Sequence, residues 1–442
     1  MTDPGPVSPR RRREVLDALR RGTVPAQGLD LLAVGLRPFE STLSDELTTV
    51  AGGGSVFKAV RGEYGSGKTF FARYLSELAL RRGFAAAEVQ ISETETPLHR
   101  LETVYRRIVE SLRTLSVPPS AFRSVLDSWL FTVESDVEES GEGSVASVDR
   151  VLEQRLTAVR NTTPAFAQAL RAYRAAVSGG DQSTADSLIA WLGGQPHVAA
   201  AAKRSAGIRG DLDHFGAMGA LQGLLLVLRD AGHPGLVVVL DEVETLQRVR
   251  GDVRDKALNA LRQLIDEMDA GRYPGLYLMI TGTPAFFEGP SGLSRLPPLA
   301  QRLHADFTAE RRFDNPRAVQ IRLAGFTRGS LVELGVRVRD LYAEGSDHAD
   351  RVRALVDDAY LGVLADAVAG SLGGSIGVAP RVFLKKLVGD VLDRVDQFED
   401  FDPRQHYRLT VTDAELTATE RATASSPRAR GAQGPDDIDL EF

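Results

Sequence analysis

Short runs of consecutive apolar residues alternate along this chain with stretches in which apolar positions recur every three or four residues. Val56-Phe57-Lys58-Ala59-Val60, residues 84–91, Leu236-Val237-Val238-Val239-Leu240 and Leu276-Tyr277-Leu278-Met279-Ile280 are of strand length. Near-continuous apolar character at that length predicts strands buried on both faces, as in a parallel sheet. Helical periodicity predicts helices over 12–21, stopped by Gly22, over 39–50 and over 69–82, where Phe70, Phe71, Tyr74, Leu75, Leu78 and Ala79 share a face. Residues 98–115 read as a strongly amphipathic helix with Leu101, Val104, Tyr105, Ile108, Val109 and Leu112 on one stripe. From 118 to 215 the period stays helical but is broken by Gly, Ser and Asp, with segments 121–133, 145–160, 164–177, 183–193 and 212–230 as the best helices. An edge strand over 305–308, mostly helical chain over 314–398 and a short strand over 406–413 complete the pattern. Residues 1–9 and the Ser-, Pro- and Arg-rich chain from about Thr419 read as disordered. The alternating acidic and apolar end, 436–442, reads as a solvated terminus.

The first strand runs into Gly62-Glu63-Tyr64-Gly65-Ser66-Gly67-Lys68-Thr69, which matches G-x-x-x-x-G-K-[ST] at every position. Strand, glycine turn and helix form the context in which this pattern binds a nucleoside triphosphate with Mg²⁺. Gly62, Gly65 and Gly67 are expected to take φ > 0 and let the backbone approach the anion. The loop N–H groups, including those of Ser66 and Phe70, and the helix N-terminus then supply positive charge. Lys68 is expected to reach the β- and γ-phosphates, and the Thr69 hydroxyl to hold Mg²⁺.

Catalysis needs a metal-ordering acid and a group that positions water. The strand 236–240 ends in Asp241-Glu242, which predicts Asp241 at the Mg²⁺ and Glu242 polarising the attacking water. Parallel strands deliver their C-terminal ends to one edge, so Thr281, ending the adjacent strand, is the expected sensor of the γ-phosphate, with Thr283 as its fallback. Arg302, just before the expected edge strand, suits an arginine finger for a neighbouring subunit. Arg381 opens a helix with Pro380 and is placed to contact the phosphates in cis.

Composition narrows the field. The chain has 442 residues, 43% hydrophobic and 26% charged, enough for two or three domains with a large core. With no cysteine, disulfides, thiolate chemistry and Cys-ligated zinc are excluded. The seven histidines are scattered without metal-ligand spacing. No apolar run reaches the roughly 18 residues of a membrane span, and the arginine-rich start lacks the apolar stretch of a secretory signal, so the expected location is the cytoplasm. A net charge of −7 argues against non-specific coating of nucleic acid and leaves room for a local basic face. Arg10 to Arg13, Arg20 and Arg21 read as a solvated helix face.

The phosphate loop, the Asp-Glu strand end, the polar-ended strand at Thr281, the edge-strand Arg302 and a helical lid opened by Pro380-Arg381 together resemble the AAA+ ATPases, especially the origin-recognition and replication-initiation group. More specifically, Ala18-Leu19-Arg20-Arg21-Gly22-Thr23-Val24-Pro25, the segment from Gly62 to Phe71, and Pro97-Leu98-His99-Arg100-Leu101-Glu102 resemble the BrxD-type ATP-binding proteins of BREX systems, over about 12–416. BREX systems defend bacteria against phage, pairing host DNA methylation with a block on phage DNA replication. The resemblance implies an α/β P-loop AAA+ parallel-sheet core with a large helical insertion and a C-terminal helical lid. It also implies ATP as ligand, antiviral defence, and other BREX proteins as partners; DNA and a homo-oligomer are further expected partners.

The expected layout is a disordered 1–11, a core in two parts (12–117 and 216–313), an insertion (118–215), a lid (314–398), a short extension (399–418) and a disordered tail (419–442). Two departures from the AAA+ pattern stand out. About 140 residues separate the second strand from the Asp-Glu strand, where connections are usually a few residues long. The chain after the lid is too short for a DNA-binding winged helix. The leading function is an ATPase whose hydrolysis drives conformational change; the alternatives are a nucleotide-gated scaffold with little hydrolysis and a DNA-loading ATPase.

Overall fold

All four apolar runs are strands, and a short fifth joins them: β1 (Val56–Arg61), β2 (Ala85–Gln90), β3 (Leu236–Asp241), β4 (Leu276–Gly282) and β5 (Gln320–Arg322). They come from a computed structural model that describes residues 7–139, 145–308, 310–371 and 379–408. The strands form one parallel sheet in the order β2-β3-β4-β1-β5. Every residue of β4 is buried, and so are the first five of β3. Aliphatic runs suit strands covered on both faces. In the register Val60 lies opposite Thr281, Leu240 opposite Ile280 and Gln90 opposite Asp241. The C-terminal ends of β1 to β4 therefore share one edge, and the chain leaving β1 there starts the glycine loop at Gly62.

Several expectations need correcting. Residues 305–308 are not a strand; Gln320–Arg322 holds the edge beside β1, where the Ala59 N–H donates to Val319 O at 2.7 Å. The Asp306 carboxylate instead accepts from the Thr308 N–H and hydroxyl at 2.8 and 2.7 Å, a local turn that competes with a ladder. The first helix starts at Pro9, so residues 9–11 are ordered: Ser8 caps it and proline suits its first position. Gly251–Asp269 is a helix that the pattern reading left out. Its start, Arg250, makes no side-chain cap bond, so the usual onset signal is missing. The amphipathic stripe at 98–115 is helical only over Leu101–Ser111. A short helix, Pro403–His406, begun by an Asp402 cap, takes the start of the expected 406–413 strand. Tyr407 and Arg408 are not strand either, and residues 409–413, residues 1–6 and the tail from Thr419 lie outside the described residues.

Contacts divide the chain into two units. One, Phe39–Arg61 with Leu75–Ile321, holds the sheet. Its apolar cluster passes from Ala59 and Val89 through Trp129, Phe166 and Tyr173 without a break. These last residues belong to the helices Phe122–Glu139 and Pro164–Ser178, so the helices that fill 118–215 are continuous with the sheet core. Inside this unit lies a buried charge. Lys58, 2% exposed in the middle of β1, donates to Glu46 Oε1 at 2.5 Å and to the carbonyls of Pro316 and Ala318 at 3.1 and 2.9 Å. The Tyr277 hydroxyl donates to the other Glu46 oxygen at 2.6 Å.

The other unit comprises Met1–Pro38, Gly62–Tyr74 and Arg322–Phe442. Val15, Leu16 and Leu19 of the helix Pro9–Arg20 share a cluster with Leu331, Leu334, Val388 and Leu392. Three arginines of that helix are not a solvated face. Arg20 grips Asp393 through Nε and Nη2 at 2.7 and 2.9 Å, Arg12 pairs with Glu344 at 3.1 Å, and Arg11 pairs with Asp30. Their carboxylates come from turns and helices distant in sequence, so helical periodicity alone could not reveal them.

Candidate functional site

The glycine loop is built around its own lysine. Gly65 and Gly67 take φ of 75° and 91°, a region closed to most side chains. Gly62 does not, contrary to expectation. A Cβ there would sit 2.2 Å from the Ser66 hydroxyl, so a side chain at this position would force Ser66 to move. Lys68 opens the helix Lys68–Arg81, and its buried ammonium donates to the carbonyls of Gly62 and Glu63 at 2.9 and 3.2 Å. The same ammonium lies 5.2 Å from the centre of the Tyr64 ring, a cation–π contact. Ser66 Oγ is buried with no hydrogen-bond partner among the described residues. Thr69 and Phe70 follow in the first turn of the helix, where Phe70 packs against the cluster of the C-terminal helices.

At the ends of β3 and β4, Asp241, Glu242 and Thr281 meet. The fully buried Thr281 donates its hydroxyl proton to Asp241 Oδ1. The Glu242 N–H is shared between Asp241 Oδ1 and Thr281 Oγ1, at 3.1 and 3.2 Å. Glu242 has φ 61° and ψ 41°, a left-handed conformation uncommon outside glycine and concentrated at functional sites. Its side chain accepts from Gln90 Nε2 at 2.9 Å. Gln90 went unnoticed in the sequence because its signal is positional. It ends β2 directly opposite Asp241, which shows only once the strand order is known. Thr283 is buried just before the helix Pro284–Glu288 and heads it, with its carbonyl accepting from the Phe286 N–H at 3.0 Å.

The two expected arginines lie on two short helices. Arg302 ends the helix Pro297–Arg302 and pairs with Asp266, with Asp269 at 3.7 Å, both on the helix Gly251–Asp269. Arg381 lies in the first turn of the helix Ala379–Lys385, its guanidinium 3.6 Å from where a side chain at Gly22 would begin.

A family model described as BREX system ATP-binding protein BrxC/D matches residues 7–411. The chain belongs to that family. Membership carries ATP binding and a role in BREX defence beside other BREX proteins. No curated protein gives a significant match. Among the described residues no helix is long and apolar enough to cross a membrane.

Proposed function

We propose that this BREX family member is a cytoplasmic AAA+-type ATPase that couples nucleotide state to conformational change, on or near DNA. The observation that carries this reading is the strand order. A strand with a polar end, β4, lies between the strand that feeds the phosphate loop and the strand that ends in Asp241-Glu242. Thr281 is thereby bonded to the acid expected to order the metal.

The loop fits a phosphate ligand, since the buried Ser66 hydroxyl lacks a partner among the described residues and a Cβ on Gly62 would displace it. Mg²⁺ fits as well. Its usual ligands on a nucleotide are phosphate oxygens and few protein oxygens, and a hydroxyl with a carboxylate is such a donor set. Thr69 and Asp241 would hold it, and it would neutralise phosphate charge. Lys68 pairs with the β- and γ-phosphates and Glu242 takes the proton of the attacking water. Thr281 holds the Asp241 carboxylate in place, and Arg381 couples phosphate state to the lid, 314–398. In a homo-oligomer Arg302 would complete a neighbour's site, exchanging Asp266 for phosphate. Lys68→Ala is expected to weaken ATP binding by about ten- to a hundredfold, the range of a lost hydrogen bond to a charged group. Unchanged ATP affinity in the folded variant, measured by calorimetry, would overturn the reading.

The Gln90–Glu242 bond favours a second reading, a switch that hydrolyses ATP slowly. The amide N–H occupies a carboxylate oxygen that the attacking water would need, so water must displace it first. Gln90→Ala should then raise steady-state turnover several-fold; turnover equal to or below that of the parent protein speaks against a brake.

A further inference from the structure

We infer that Phe326 is a positioning residue for the phosphate loop, holding Gly67 in its left-handed conformation from the segment that leads into the C-terminal helices. The inference deepens the ATP-binding reading above by adding a side chain that lies outside the loop pattern.

A Cβ placed on Gly67 would find one neighbour within 4 Å, Cε2 of Phe326 at 3.6 Å. The ring therefore faces the open side of the residue with the most extreme φ in the loop, 91°. Its origin is fixed. Thr327 caps the helix Arg328–Ala343 reciprocally with Ser330, the Ser330 N–H donating to Thr327 Oγ1 at 3.2 Å and the Thr327 N–H to Ser330 Oγ at 2.8 Å. Such a capping box holds the backbone immediately after Phe326. Phe326 and Phe70 both pack on the cluster that holds Val15, Leu331 and Phe383. Gly67 is thus flanked by two aromatic residues anchored in one core. The Phe71 N–H donating to Gly67 O at 2.8 Å marks where helical bonding begins. A shift of the C-terminal helices moves the ring, and the ring borders the space where a side chain on the loop glycine would begin.

The test is hydrogen exchange on the full-length chain without nucleotide, followed by ATP kinetics. In Phe326→Ala, the amides of 65–70 should exchange roughly tenfold faster, while those of 331–343 keep the parent rate. The Michaelis constant for ATP should rise about tenfold with kcat within about twofold, since positioning of the loop acts on binding. Phe326→Leu, which keeps an apolar group over Gly67, should restore most of both. Unchanged exchange over 65–70 overturns the inference, as does equal acceleration over 331–343, which would mark a general loosening. If Phe326→Ala does not fold, Phe326→Leu decides: a selective acceleration of about threefold over 65–70 supports the inference and none overturns it. A parent protein that fails to bind ATP defeats the ATP reading and leaves the exchange result standing.

Discussion

Glu242→Gln is expected to lower ATP turnover by about two to four orders of magnitude, the range carried by a positioned general base, and to leave ATP affinity close to that of the parent protein. The substitution keeps the shape of the side chain and removes its proton-accepting charge. Glu242 also holds a left-handed backbone, φ 61°, and its N–H is shared by Asp241 and Thr281. Glutamine can keep those backbone contacts. Single-turnover and steady-state phosphate release, beside a binding isotherm, separate the two effects. Phage challenge with the same variant then distinguishes the two readings of function. Defence that persists without hydrolysis assigns the work to assembly, and defence that disappears assigns it to turnover.

Glu46→Ala is expected to destabilise the sheet unit by roughly 3–5 kcal/mol, the cost of breaking a buried ion pair from one side. Lys58 would keep the two carbonyls of Pro316 and Ala318 but lose its counter-charge, in a position 2% exposed. The Tyr277 hydroxyl would lose its acceptor as well. Burial first, and then the neighbouring Glu46 carboxylate, push the Tyr277 phenol well above its ordinary value, so the ring stays neutral and needs a partner for its proton. Lys58→Met combined with Glu46→Leu should recover much of the loss, since an apolar pair of similar volume carries no stranded charge. Denaturant unfolding of the two single variants and the double variant measures the coupling. Loss below about 1 kcal/mol in Glu46→Ala would show the ammonium to be solvated instead.

Legibility in the sequence follows how local each cause is. β3 and β4 were plain because burial on both faces writes a continuous apolar run. β5 was not, because three residues, Gln320-Ile321-Arg322, are too few to show a period. The glycine loop could be read residue by residue since its pattern is contiguous, but the reason for Gly62 was misread. A collision with Ser66 depends on how the turn closes and not on spacing. Asp241 and Thr281 were found as ends of apolar runs. Their hydrogen bond needed β3 and β4 to be neighbours. Lys58 gave no sign of its role, for its partner Glu46 lies on the separate helix Arg37–Ala51. Arg302 was placed against a strand that is absent, and its acidic partners lie on the one long helix that the pattern reading left out.

The helix Pro9–Arg20 completes its core only with residues such as Val388 and Asp393. Those residues leave the ribosome more than 300 residues later, after the whole sheet unit has been made. Loop closure over that distance is slow relative to local pairing, so the central unit is free to fold during synthesis while the two ends wait for each other. The first helix is thus among the last parts to find its place, and a nascent chain stopped before Leu331 would carry Val15 and Leu19 without their partners from the later helices, open to chaperones.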